Sequence, residues 1–449
     1  MVRDLREFIS LLEEKGELAR VREELDPRFE ISAFLRLLDG RDGPAVLFER
    51  VRGYTIPVAA DLYRTPRRMA LALGAEEKKV IEELERRKRN LIPPREIPKE
   101  EAPVKEKVVK GEAVDIPGII PVLTYHSRDA GPYITQGVVI LKDPDTHAQT
   151  LGVHRIQVKG RNKLGIFLSP FGKAHEFMRK HEERGMHTDV AIALGPEPPL
   201  LFAAISAFPG DKMSLAGALK EEPIEVVRGE TVDLKVPAQA MFVIEGRIPP
   251  GVREVEGPFG ESSGFYCTYH NPVVEVTALT FRKDPIYSVS HPYSIEADRL
   301  LETLYLPEMR EVMKKLIPEL RDVRIVFPAS LVIISMRKRH SWDGRKAILT
   351  ALAHFPFKYA IAVDDDVDIW DNRDLASAFY GRFQPSRGLI HLEDLWVELD
   401  PSAREEQRVG GKVGFDATCP LDQRELLEKA DVPVEAKEKA EEVLRKLRL

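Results

Sequence analysis

Residues 253–266, REVEGPFGESSGFY, hold Glu256 and Glu261 five positions apart around Gly257-Pro258-Phe259-Gly260. Two carboxylates kept at a fixed separation can do general acid and base work, one carrying a proton while the other stays ionised. Helical geometry would bring residues three or four apart onto one face, and the glycines and proline argue against a helix. The spacing predicts a rigid turn with one carboxylate on either lip. Solvated turns also carry acids at little cost, so both a site and an ordinary surface corner are open on spacing alone.

Arg155 in LGVHRIQVKG raises a second possibility. Strand alternation would put Leu151, Val153, Arg155 and Gln157 on one face, where an arginine among apolar neighbours needs a carboxylate or an anion. A rim arginine is the alternative, since arginine is seldom buried. The run VDDDVD, residues 363–368, gathers Asp364, Asp365, Asp366 and Asp368, and reads as an acidic turn after a buried strand rather than a magnesium site. GESSG resembles a nucleophile elbow only superficially, because strand-like FYCTYHN follows it. There is no GxxxxGK[ST] loop, no GxGxxG after a strand and no HExxH, and the eleven histidines show no ligand spacing.

The elements that must position these residues are sketched by bulk properties. At 449 residues the chain predicts two or three domains. No apolar run approaches the roughly 20 residues that cross a bilayer, and the charged start MVRDLREFIS does not resemble a secretory signal, so no membrane span and a cytoplasmic location are expected. Cys267 and Cys419 stand far apart without a CxxC, which indicates neither a disulfide framework nor a cysteine metal site. A net charge of −6 with both signs mixed gives no nucleic-acid footprint. Asparagine occurs only at 90, 162, 271 and 372 while Glu, Lys and Arg abound, a composition that leans towards a thermophile.

Along the chain, DLREFISLLEEKGELARV spaces Leu5, Phe8, Ile9, Leu11 and Leu12 as an amphipathic helix, and AVLFERV follows as a strand. TPRRMALALG and EEKKVIEELERRKRN read as helices, the basic run Arg86–Arg89 being the solvated last turn of the second. Residues 91–121 are dense in proline and charge and read as a linker or surface connection, with a boundary near 110. The middle part is expected to be mostly β, with DVAIALG, LFAAISA and AMFVIEGRI as strands and AHEFMRKHEERG and SLAGALKEE as helices. Beyond 295, helices (ADRLLETLYL, EMREVMKKLIPEL, GRKAILTALAHF) alternate with strands (LVIISMR, KYAIAVDD), and PVEAKEKAEEVLRKLRL forms a tail helix over about Val434 to Leu447, expected to pack on its own domain or on a second subunit. The expected layout is an α/β (α+β multidomain) chain: 1–110, 111–300 and 301–449.

Taken end to end, the chain resembles the UbiD family of prenylated-FMN-dependent decarboxylases. The motifs carrying the resemblance are DLREFISLLEEKGEL, GPYITQGVVILKDPDT, LGVHRIQV, VEGPFGESSGFY, YAIAVDDDVDIWD and KVGFDATCP, in that order. The resemblance implies an N-terminal α/β region, a central split β-barrel holding the flavin, and a C-terminal α/β domain used for oligomerisation as a dimer or hexamer. It implies a catalytic set of Arg155, Glu256 and Glu261, with Glu256 paired to Arg155 and Glu261 facing the substrate as proton donor. A carboxyl in a desolvated pocket beside another carboxylate can carry that proton near neutral pH. Loss of CO2 leaves electrons that need a sink, which the resemblance places on the cofactor through a cycloadduct with the substrate double bond. A flavin prenyltransferase is the implied supplier of the cofactor.

The flavin-contacting positions implied are Thr150, Val153, His154, Arg155 and Lys212, and the substrate corner is SVSHPYSIEADRLL with His291, Pro292 and Tyr293. Many relatives clamp the flavin phosphate with a divalent metal, Mn or Mg, sometimes with K, through an asparagine, a histidine and a glutamate. Here those positions fall on Thr150, on Gly172 or Lys173 with His175 nearby, and on Lys212, so no metal ligand is expected at the usual places. An ammonium at Lys212 could supply the charge instead. Family substrates include aromatic acids such as 4-hydroxybenzoates, cinnamate-like acids and, in archaea, trans-anhydromevalonate 5-phosphate of the mevalonate (isoprenoid) pathway. The last is the expectation, with aromatic acids as the alternative and a non-catalytic homologue as the rival from another class.

Overall fold

The structure, a computed structural model, describes residues 2–41, 43–397, 400–403, 409–427, 429–430 and 432–447. In the middle of the chain, runs of branched apolar residues form six antiparallel strands: Phe242–Ile248, Thr188–Leu194, Tyr133–Lys142, Gln149–Val158, Lys163–Ile166 and Tyr266–Phe281. The last pairs back to the first, so the sheet closes into a barrel and these strands have no open edge in the ring. Tyr266–Phe281 is long enough to serve four partners, because besides its two barrel neighbours its first half pairs with Arg253–Gly260 and its end with Lys107–Lys110.

The fold is α/β and multidomain, and the barrel is formed from the middle of the chain. The chain divides into two compact units. The first comprises residues 1–312, 325–331 and 393–411, and the second 313–324, 332–392 and 412–449. Besides the barrel, the first unit contains a four-stranded sheet of Leu18–Val21, Ala45–Phe48, Val58–Ala60 and Tyr287–Val289, flanked by the amphipathic helix Leu5–Glu14 with Leu5, Phe8, Ile9 and Leu12 buried. The second is built on a five-stranded sheet in the order Leu320–Val326, Leu331–Met336, Tyr359–Asp364, Val409–Asp416 and Leu389–Trp396, with helices Asp343–His354 and Asn372–Arg382. No described helix is long and apolar enough to cross a membrane.

Several local expectations change. LFAAISA is not a strand but part of the helix Pro198–Ile205. A short run that is apolar but for Ser206 carries no period to choose between the two, and the prolines at the helix start favour the helix. ADRLLETLYL and EMREVMKKLIPEL are one helix, Ile295–Leu316, with Pro307 inside it. The proline-rich stretch is laid onto the barrel, with Lys105 buried against Glu245 at 3.3 Å. In the basic run, Arg87 is buried and donates to the carbonyls of Leu73 and Leu219, so it is not solvated. The acidic turn after Tyr359–Asp364 is held by Arg382, which reaches Asp364 at 3.2 Å and Asp366 at 2.6 Å. The tail helix Val434–Leu447 has no buried residue among those described.

Candidate active site

Arg155 lies on strand Gln149–Val158, whose neighbour Tyr133–Lys142 pairs Ile134 with Ile156 and Gly137 with His154. The neighbour spends three steps where the arginine strand spends two, which places a β-bulge opposite Arg155. A second bulge lies in Arg253–Gly260, where Glu256 pairs with Tyr269 and Phe259 with Cys267. The expected turn at Gly257-Pro258 is thus an irregularity within a strand. Gly257 has φ +109, and a Cβ there would meet the Cys267 carbonyl oxygen at 2.6 Å, so glycine suits this close approach.

That bulge decides which way the carboxylates point. Successive strand residues face opposite sides, so residues five apart diverge. One inserted residue reverses the parity, and Glu256 and Glu261 meet the same guanidinium. Arg155, Glu256 and Glu261 are all buried, at 8%, 0% and 5% exposure. Arg155 Nη2 donates to Glu256 Oε2 at 2.7 Å, and Arg155 Nη1 contacts Glu261 Oε1. The guanidinium carbon lies 4.7, 5.0 and 5.6 Å from the ring centres of Phe167, Tyr269 and Phe259. Such rings fix the plane of an arginine and favour its charge.

Sequence reasoning missed Asn271, whose Nδ2 donates to Glu256 Oε2 at 2.9 Å. Its rarity was a signal: it is one of four asparagines in the chain. Tyr133, in the quoted GPYITQ motif, was missed too. Its phenol is pushed above its ordinary pKa by burial and by the Glu256 charge. Buried polar atoms without a hydrogen bond collect around this group: Arg155 Nε, Glu256 Oε1, Gln136 Nε2 and Gln157 Oε1. Native proteins rarely leave such atoms unpaired unless a ligand or water meets them. The residues present therefore fit a bound polar ligand at this place.

The turn carrying Glu261 is tight, its amide donating to Phe265 O and Gly264 N donating to Glu261 O, both at 2.9 Å. His126 presses against it, since a Cβ on Gly260 would lie 2.3 Å from His126 Nδ1. Tyr293 closes on its far end, 3.3 Å from the position of a Cβ on Gly264. His291 is buried, its ring centre 5.2 Å from that of His126. Its Nε2 lies 3.1 Å from Ser32 Oγ, and burial, with His126 and Arg36 adding to it, pushes its pKa down to about 3, so the ring is neutral near pH 7. His291 and Tyr293 thus stand beside the Glu261 turn, and Pro292 between them is half-buried.

On the other part of strand Gln149–Val158, Gly152, Val153 and His154 are half-buried between buried neighbours, Thr150 and Leu151 before them and Arg155 after. Helices Lys173–Glu182, Pro198–Ile205 and Lys212–Lys220 pack against this strand. Desolvation, with the Lys212 ammonium adding to it, holds the His154 pKa down to about 4. Lys212 is itself held down to about 8 by desolvation and the Lys173 ammonium. Thr150 is buried and pairs in register with Leu141. Among the described residues no three His, Cys, Asp or Glu side chains are grouped as metal ligands would be. Two ammoniums near enough to influence one another are a donor set that does not fit a divalent cation.

Three successive matches cover most of the chain: residues 9–88, 95–294 and 299–417 correspond to the N-terminal, Rift-related and C-terminal domains of 3-octaprenyl-4-hydroxybenzoate carboxy-lyase. The chain belongs to the UbiD family. Among solved UbiD-class structures, HmfF from Pelotomaculum thermopropionicum in complex with FMN is 37% identical, with 97% of this chain and 98% of that one covered and a TM-score of 0.86. An evolved dimeric form of the same UbiD-class enzyme, in complex with prFMN, is 35% identical over 97% and 98% with a TM-score of 0.85. The vanillic acid decarboxylase of Sedimentibacter hydroxybenzoicus in its closed form is 30% identical over 100% and 99%, with a TM-score of 0.90.

Proposed function

We propose that this UbiD chain is a carboxy-lyase that removes CO2 from an α,β-unsaturated or aromatic acid with prenylated FMN as cofactor. The observation that carries this is the buried group of one guanidinium and two carboxylates, Arg155, Glu256 and Glu261, ringed by unpaired polar atoms. The flavin, when bound, supplies the electron sink that no side chain here offers. Thr150, Val153, His154, Arg155 and Lys212 are the residues that would hold it.

The protein's own part is to hold and deliver a proton. Glu256 Oε2 accepts from both Arg155 and Asn271, an arrangement that suits the ionised carboxylate. One cation facing two carboxylates balances when the second carries a proton, and that second is Glu261. Glu261 is the donor to the carbon that loses CO2. The aromatic walls around Arg155 keep water from competing for the proton.

The preferred substrate is trans-anhydromevalonate 5-phosphate. Arg128 supports an anionic group on the substrate, since its guanidinium lies 4.9 Å from the Tyr266 ring centre and is not in a described ion pair. An aromatic acid is the second reading, favoured by the likeness to vanillic acid decarboxylase. The test is to co-express the chain with a flavin prenyltransferase and record the absorbance spectrum and the mass of bound cofactor, then CO2 release from both substrate classes. Prenylated FMN together with turnover supports the reading. A chain that neither copurifies with flavin nor takes it up on reconstitution would have no electron sink, and the non-catalytic alternative would replace it.

A further inference from the structure

Lys173 and Lys212 are the first residues of two different helices, Lys173–Glu182 and Lys212–Lys220. A cation there faces the positive end of the helix dipole, which is the unfavourable end. The two ammoniums are also near enough to repel one another. Ordinarily carboxylates would relieve such crowding, and among the described residues neither lysine is in an ion pair. Lys212 Nζ donates to Ala204 O at 2.9 Å, and Lys173 Nζ to Pro209 O. The acids beside them in sequence are used elsewhere: Asp211 caps its own helix through Met213 N at 2.9 Å, and Glu176 pairs with Lys180 at 3.3 Å. The Lys173 helix has Gly172 at its N-cap, which supplies no side-chain cap.

Unpaired positive charge brought together from two helices, beside the half-buried stretch Gly152–His154, is what a dianion would complete. We propose that Lys173 and Lys212 together form a seat for the phosphate of the flavin that works without a metal ion. This rests on the flavin reading above. The two ammoniums supply the positive charge that a divalent ion would bring, and each donates hydrogen bonds to phosphate oxygens. The seat differs from a metal bridge because its charge stays with the protein and is not removed by chelation.

The test uses the full-length apoprotein in EDTA, titrated separately with FMN and riboflavin and read by quenching of flavin fluorescence. FMN should bind more tightly than riboflavin by about a hundredfold, and adding Mn2+ or Mg2+ should leave that ratio unchanged. Lys212→Met and Lys173→Met should each weaken FMN binding about tenfold and leave riboflavin binding as it was. Lys212→Arg should retain most of the preference, and Lys173, being exposed, can be replaced with little risk to folding. FMN binding that requires added Mn2+ or Mg2+, or Met variants that bind FMN like the parent, overturns the seat and leaves the flavin reading standing. If neither flavin binds with or without metal, both fall together.

Discussion

Arg155 and Asn271 converge on one oxygen of Glu256, at 2.7 and 2.9 Å, and its other oxygen is left without a hydrogen bond. The two residues come from different barrel strands, so the Glu256 carboxylate is pinned from both sides by rigid elements. Glu261, on a turn, is held by Arg155 alone among the described side chains. One carboxylate is anchored by two side chains and the other by one.

Arg155→Ala should expose that dependence most directly. It leaves two carboxylates buried without their cation, and unfolding in denaturant should show a loss of about 3–5 kcal/mol. Arg155→Lys keeps a charge but loses the fork that reaches both acids, so turnover should fall at least about a hundredfold while the fold survives. An Arg155→Lys variant with the parent's turnover would remove the arginine from the mechanism.

Glu261→Gln should abolish proton delivery while flavin remains bound, lowering turnover by about 10²–10⁴. Cofactor content read from the spectrum separates this from loss of the site. A fully active Gln variant would show that another group delivers the proton.

Gly257→Ala tests the bulge. The alanine must adopt φ near +109 and its Cβ must sit against the Cys267 carbonyl, so the strand has to shift. A stability loss of about 1–3 kcal/mol is expected, with turnover falling more than stability accounts for. Equal melting temperatures and equal activity would mean that the strand tolerates the side chain.

A pH effect is expected from Glu296, which is buried and accepts from Tyr63 N at 2.9 Å. Burial, with the Asp61 charge adding to it, raises its pKa to about 8. The folded state thus keeps a proton that the unfolded chain releases at ordinary carboxylate pH, and stability falls as pH rises from about 4.5 through 8. Glu296→Gln should melt like the parent near pH 4 and above it at pH 8. Parallel melting curves for the two proteins across that range would contradict the assignment.

How far these features can be read from residues alone varies with how local their causes are. Leu5, Phe8, Ile9 and Leu12 announce their helix because amphipathic period is a property of a short window. The family motifs pointed to Arg155, Glu256 and Glu261, and the barrel followed from the same resemblance. Asn271 was hidden because its partner is fifteen residues away across a strand pair, and nothing in YHNPVV shows where an amide will reach. The bulge was hidden for a related reason: glycine and proline signal a break in the ladder, yet only the opposing strand decides whether that break is a turn or an inserted residue. LFAAISA carried no period at all.

The inserted residue in strand Arg253–Gly260 also bears on which insertions and deletions the segment can absorb. Direction in a strand is counted in twos, so removing one residue between Glu256 and Glu261 would send one acid outward although every residue type of the proposed site remained present. Removing two would restore its direction at a shorter reach. At this point in the chain, function is encoded in an odd or even residue count as well as in side-chain chemistry.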